Sequence, residues 1–352
     1  MFKELKVVEL ASVLAGPDVG MFFAELGAEV FKIENKLTDG DVTRKWKSKS
    51  ENQDTDISAY FSSVNYNKKY LFLNLKEEAD KQKVYDLIKT ADIVIANYKP
   101  GSAVKLGMDY KTFKKINPTL IYGEINGYGS DSERAAYDVV LQAETGFMSI
   151  NGELNSPPLK LPVALIDVLA AHQLKEGILI ALIKKQQTGK GAFVEVSLYD
   201  AAVASLKNQA TNWLMGNFIP QAQGSLHPNI APYGETFLTK DKFYVVLAIG
   251  SNKHFKQLTE ILNAPELLIE KFSTNPLRVK NRDDLDKALK PYFFSLTKDE
   301  FMEKAIKLNI PAGVVNEINH VFEDEKAQKL ILTEKIDGIN TKRVKTAVFK
   351  IS

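Results

Sequence analysis

Short apolar runs alternate with amphipathic stretches through the N-terminal part of the chain. LKVVEL (5–10) predicts a buried strand, ASVLAGP a loop, DVGMFFAELG a helix and AEVFKIE (28–34) a second strand, which together form one βαβ unit. Pro17 suits a first helical turn, where its missing N–H costs nothing, and Gly27 suits the position just past the helix end, where φ > 0 is wanted. The rhythm continues with YLFLNL (70–75), a charged amphipathic helix from about Glu77 to Thr90, ADIVIANY (91–98) and TLIYGEINGYG (119–129). Strands that alternate with helices predict an α/β fold whose parallel sheet is covered on both faces.

Further along, residues 138–150 predict a helix, and Asp167 to Gln187 a long helix stopped by TGKG. AFVEVSL (192–198) predicts a strand and YDAAVASLKNQATNWLMGN (199–217) another helix. Residues 219–235 collect Gly, Pro, Asn and Ser and mark a domain boundary. TFLTKDKFYVVLAIG then predicts a hairpin, helices run to about Leu308, and IPAGVVNEINHVFED with the closing RVKTAVFKIS predict return strands and a helix.

Composition narrows the function classes. The 352 residues are 45% hydrophobic and 26% charged, an ordinary globular balance. Lys plus Arg at 46 against Asp plus Glu at 44 leaves no overall field to recruit nucleic acid or an acidic membrane, so any anion site is local. The absence of cysteine excludes disulfides, thiolate metal sites and a cysteine nucleophile, and fits a reducing compartment, with the cytoplasm as the expected location. The N-terminus lacks a basic head followed by an unbroken apolar stretch, and no apolar run approaches the roughly 18 residues of a membrane span.

The residues that carry chemistry are few. SVLAGP would lie at the carboxyl edge of the sheet and at a helix N-terminus, where free N–H groups suit an anion; a plain helix start explains it equally. It is not G-x-G-x-x-G, so a dinucleotide site is not indicated. NYNKKYLFLNLK puts Lys68 and Lys69 before a strand and Lys76 after it, either as sheet-edge cations for a phosphate or as a solvated face. NYKPGSAVKLG (97–107) turns the chain after a strand and offers Lys105 on a short helix. His172, His227, His254 and His320 have no metal-ligand spacing, His172 reads as a packed helix residue, and no G-x-S-x-G elbow is present. No metal is expected. Asp138 follows Tyr137 at a helix start, where capping explains it; Asp167 ends the apolar stretch PVALI, where capping and a functional placement are both open.

In this order the pieces resemble the family III CoA-transferases of the CaiB/BaiF type, which include formyl-CoA and carnitine CoA-transferases, with the α-methylacyl-CoA racemases as a close branch. The stretches that carry the resemblance span nearly the whole chain: LKVVELASVLAGP, LGAEVFKIEN with GDVTR, NKKYLFLNLK, DIVIANYKPGSAVKLGMDY, INGYG, YDVVLQAETGFMSINGE, LPVALIDVLAAH, ALIKKQQTGKGAFVEVSLYDA, HPNIAPYGETFLTKD and IPAGVVNEI. The resemblance implies a Rossmann-like large domain with a parallel sheet (1–200, completed by about 325–352), a linker (201–229) and a smaller α+β domain (230–324). It also implies ring-shaped subunits interlocked as a homodimer, with acyl-CoA and a carboxylic acid as substrates.

By the same resemblance, coenzyme A lies over the sheet edge at Val13, Leu14, Ala15, Leu73, Lys76, Asn97, Tyr98, Lys99 and Lys105. Asn35 and Asn126 stand where other members place a basic residue, which lowers the expected affinity for CoA. The family's acid-bearing turn reads GELNSPP here, with Asn155 at the acid's place and Glu153 as a solvated neighbour, but the nucleophilic aspartate corresponds to Asp167, after the next apolar stretch. A carboxylate there attacks a thioester; an amide cannot, because its oxygen carries no formal charge. The racemase branch needs a second base beside that acid, a His before the residue matching Asp138, and Tyr137 replaces it. An α-carbon racemase or epimerase, and an acyl-CoA binder without turnover, are the alternatives. Leu14, where formyl-CoA transferases carry glutamine, and the missing glycine-rich insertion near 227–241 argue against an oxalate or formate specialist.

Overall fold

Val7 and Val8 are neighbours on one strand, point to opposite sides, and are both fully buried, which requires a sheet covered on two faces. The computed structural model describes residues 1–352 and has such a sheet. The chain divides into two compact units, one of Met1–Met148, Lys160–Pro220 and Lys326–Ser352, the other of Ser149–Leu159 and Gln221–Glu325.

The first unit opens with β1 (Lys6–Glu9), α1 (Ala15–Glu25), β2 (Glu29–Asn35), α2 (Ala59–Ser63), β3 (Lys68–Leu73), α3 (Glu78–Ile88) and β4 (Ile93–Ala96). It continues with α4 (Ser102–Leu106), α5 (Tyr110–Ile116), β5 (Ile121–Asn126), α6 (Asp138–Glu144), α7 (Phe147–Ile150), whose last two residues belong to the second unit, α8 (Leu165–Thr188), β6 (Ala192–Ser197), α9 (Leu198–Ser205) and α10 (Lys207–Gly216). The six strands are all parallel, in the order β3-β2-β1-β4-β5-β6, with Val8 opposite both Phe31 and Val94. Val7, Val30, Ile93 and Ile121 pack with α1 and α8 on one face; Val8, Val94 and Tyr122 pack with Val84 and Ile88 of α3 and Phe113 of α5 on the other. Two glycines make this packing feasible. A Cβ on Gly16 would sit 2.3 Å from that of Ala11, so only glycine lets α1 start against the strand exit, and Gly27 ends α1 at φ +100.

The second unit carries an antiparallel sheet of β7 (Tyr233–Leu238), β8 (Tyr244–Ala248) and β9 (Ala312–Val314), packed with the helices Asn252–Ile261, Arg282–Ser295 and Lys298–Lys307 around Phe237, Phe255, Phe293 and Phe301. The α/β class, the parallel sheet and the smaller α+β unit therefore match the expectation. Three local readings change. The stretch 138–150 is two helices parted by Gly146 at φ +89, and 199–217 is also two. The closing segment is an antiparallel hairpin, β10 (Ile331–Ile336) and β11 (Ile339–Val344), turned at Asp337 and Gly338 with φ of 49° and 82°, as a two-residue Asp-Gly turn requires. No helix is long and apolar enough to cross a membrane.

Candidate active site

β1 lies between β2 and β4, so successive connections leave it in opposite directions and open a crevice at the carboxyl ends of β1 and β4. The loop leaving β1 is held from both sides of that crevice. Asn97, just past β4, donates from Nδ2 to the Ser12 carbonyl at 2.7 Å and accepts from the Ser12 N–H at 3.0 Å, acting as a strand neighbour would. The Val13 N–H donates to Asp41 Oδ2 at 3.1 Å. Val13 sits at φ +71, which costs a β-branched residue on the order of 1–3 kcal/mol and persists only where its surroundings enforce it. The enforcement comes from beneath. Asp41 pairs with Lys32 at 3.2 Å, Lys32 with Glu9 at 2.9 Å, and Glu9 with Lys68 at 2.7 Å, all four side chains being buried. Burial works against the Asp41 anion, but Lys32 and two bonds from Thr43 hold its carboxyl below the usual range.

α8 begins without a cap of its own, because Ala164 at the N-cap position offers no side-chain acceptor. Asp138, from the first turn of α6, supplies one: its Oδ2 accepts from the Ile166 N–H at 2.7 Å and lies 3.4 Å from the Asp167 nitrogen. Its Oδ1 accepts from Gln142 Nε2 at 2.5 Å, and Gln142 Oε1 accepts from the Leu161 N–H at 2.8 Å. Asp138 thus fixes the start of the helix that carries Asp167. The Asp167 side chain itself is half-buried in the first turn of α8 and has no basic or hydrogen-bonding side chain acting on it. The helix terminus favours an anion there. Burial, and then the Asp138 carboxylate, outweigh it and push the Asp167 carboxyl up to about 7. Tyr60 on α2, raised to about 12 by burial and by Asp167, Asp138 and Asp41, stays a protonated phenol in the same electrostatic neighbourhood.

Two clefts share Leu10, Ser12 and Tyr98 and so form one trough over the switch point. One, about 390 Å³, brings together Val13, Leu14, Ala15, Asn97, Tyr98 and Lys99 with Tyr137, Asp138 and Asp167. The other, about 410 Å³, takes Leu73 and Lys76, with Asn35 on its wall. A profile of CoA-transferase family III matches residues 2–352.

The chain belongs to CoA-transferase family III.

The succinate–glutarate CoA-transferase of Agrobacterium fabrum is 34% identical over 92% of this chain and 82% of its own length. The human succinyl-CoA:glutarate CoA-transferase is 36% identical over 91% of this chain and 73% of its own. A crystal structure of a CaiB/BaiF family protein from Brucella suis superposes with a TM-score of 0.85 at 35% identity, covering 98% of this chain and 91% of that one. As a family III member, the chain is an enzyme of CoA transfer, with an acyl-CoA and a carboxylic acid as substrates.

Several predicted site residues are placed differently in this family member than their sequence context suggests. Lys105 is exposed on α4 and lines neither cleft. Lys68 is not a sheet-edge cation; it is buried, bonded to the Pro17 and Val64 carbonyls and to Asn65 as well as to Glu9, and burial lowers its ammonium to about 8. Lys69 pairs with Glu29 at the surface. His172 is exposed on α8 rather than packed. Asn126 donates to Glu195 at 2.6 Å, so its amide is already engaged at the cleft wall. Asn155 lies in an exposed turn of the second unit at φ +62, a conformation asparagine tolerates better than most residues, and Glu153 is exposed there too. The sequence offered no sign of Tyr60 or of the Asp41 clamp on Val13, because the partners are distant in the chain.

Proposed function

We propose that the chain moves CoA between an acyl-CoA and a carboxylic acid through covalent intermediates on Asp167. A carboxylate oxygen of Asp167 attacks the thioester carbon, the C–S bond breaks, and CoA thiolate leaves a mixed anhydride. The thiolate then attacks the aspartyl carbon of that anhydride, which releases the donor acid as its carboxylate and leaves an aspartyl–CoA thioester. The acceptor carboxylate runs the two steps in reverse, so Asp167 is regenerated and no proton, metal or redox partner is consumed. The observation that carries this reading is the state of Asp167: a carboxylate without a basic partner, at a helix N-terminus, on the wall of the switch-point cleft.

Its raised pKa fits the task. A carboxylate stabilised by an arginine would be a poor nucleophile, whereas one that ionises near 7 with no counter-charge keeps its reactivity. The same geometry disfavours α-carbon racemisation, because both oxygens of Asp138 are committed to Gln142 and to the start of α8, and Tyr137 stands where the racemase branch places its histidine base. Coenzyme A would occupy the trough, with Lys76 and Lys99 as cations for its phosphates and Val13, Leu14, Ala15, Leu73, Asn97 and Tyr98 along its length; Lys105 would join only from outside it.

The variant Asp167→Asn preserves shape and removes the nucleophile. CoA exchange between acids falls by at least about a thousandfold in it, on the scale of losing a reacting group; exchange at the wild-type rate would refute the assignment. A homodimer completes the reading. Apolar side chains stand out on α8 and α10, with Ile180 at 67%, Leu214 at 77% and Met215 at 84% exposure, and a second copy of the chain would cover them. Light scattering should return twice the chain mass; a monomer that is active at assay concentration would contradict this.

A further inference from the structure

An acceptor acid that presents one carboxylate to Asp167 leaves the rest of its carbon chain along the cleft wall. Two cationic side chains line that wall, Lys99 and Arg134. Lys99 follows β4, beside the residues proposed to hold CoA. Arg134 belongs to the loop between β5 and α6, just before Tyr137 and Asp138, and Asp138 is bonded to the backbone at Ile166 and Asp167. Arg134 therefore lies a short length of chain from the side chain that caps the helix bearing Asp167, on the same cleft wall as that carboxylate, and nothing in the CoA-transfer steps on Asp167 uses it.

Its present contacts are those of a cation that can change partner. The guanidinium lies 4.2 Å from the centroid of the Tyr128 ring and donates through Nη2 to Glu144 Oε1 at 2.6 Å, while the Tyr128 hydroxyl donates to Glu144 Oε2 at 2.8 Å. Arg134 is 59% exposed and Glu144 36%, and an ion pair so open to water contributes little, so a second carboxylate can displace Glu144 at small cost. The ring beneath supports the guanidinium, and a planar fork of N–H donors matches a carboxylate with two parallel bonds.

We propose that Arg134 is the residue that reads a dicarboxylic acceptor, binding its second carboxylate, and that Glu144 occupies the guanidinium until such an acid arrives. This rests on Asp167 being the reacting group. A monocarboxylic acid would leave Arg134 on Glu144 and gain nothing from it.

The test compares succinate, glutarate and butanoate as acceptors in the wild type, Arg134→Gln, Arg134→Lys and Glu144→Gln. Losing a charge-assisted bond predicts that R134Q raises the KM for succinate and glutarate by about tenfold or more, with kcat little changed and butanoate unaffected. R134K recovers part of the loss, and E144Q leaves the KM for the dicarboxylic acids unchanged or lower. Equal losses with butanoate, a loss that falls on the KM for the CoA ester, or the same loss in E144Q would each overturn the proposal. Calorimetry of succinate binding to wild type and R134Q in the presence of CoA needs no turnover: equal affinities overturn the Arg134 assignment alone, whereas undiminished exchange in Asp167→Asn overturns the nucleophile instead.

Discussion

Asp138 and Asp167 are two carboxylates at one helix start, and their surroundings give them opposite duties. Asp138 accepts from the backbone of α8 and from Gln142, so it is held in place as an acceptor. Asp167 is left with burial and a like charge, and its carboxyl rises to about 7. A nucleophile must be ionised, so kcat/KM should climb with pH as Asp167 titrates, with its acid limb near that value. Asp138→Asn keeps an oxygen for the Ile166 N–H and removes the neighbouring negative charge. The acid limb should then move to lower pH, though not to the ordinary carboxylate value, since burial, the larger cause, remains. A pH–rate profile that is unmoved in D138N, or moved upward, would contradict this assignment of causes. Asp138→Ala additionally removes the cap and should cost about 1 kcal/mol of stability.

The elements owe their precision to charges that the sheet buries. Lys32 on β2 joins Glu9 on β1 to Asp41, and Asp41 holds the Val13 N–H, so a strand-borne ammonium supports the strained turn at the mouth of α1. Burial disfavours the Lys32 ammonium, yet Glu9, Asp41 and Glu34 together raise it above its usual value. Lys32→Met strands Asp41 without its cation and should destabilise the fold by about 3–5 kcal/mol in a urea titration, far beyond a surface lysine; a change within about 0.5 kcal/mol would show the cluster to be dispensable. None of this was legible in the sequence, where VVEL and VFKIE read as strands with one and two polar positions. The strands and helices themselves were legible, because their periods of two and 3.6 are written locally. The strand order, the Asp138 cap on a helix 28 residues away and the Asn97 clasp on Ser12 depend on pairings that no local pattern encodes. The closing hairpin is different: KIDGIN carries its Asp-Gly turn signal locally, next to an apolar tail that masks it.

At the scale of the molecule, the parallel sheet of the first unit provides a trough at its switch point, and family membership supplies the chemistry, CoA transfer, that we propose for it. The proposal for Asp167 came from the resemblance and the apolar stretch before it, and the structure adds the surroundings that support it: a helix start capped from outside, a half-buried carboxyl and no basic neighbour. The direct test of the central claim is to mix the chain with a CoA ester, quench with acid, and map by mass spectrometry which peptide carries CoA. The account predicts a CoA thioester on the peptide containing Asp167, gone when an acceptor acid is added and never formed in Asp167→Asn. CoA bound covalently to any other residue, or acid exchange that proceeds with no adduct at Asp167, would contradict it.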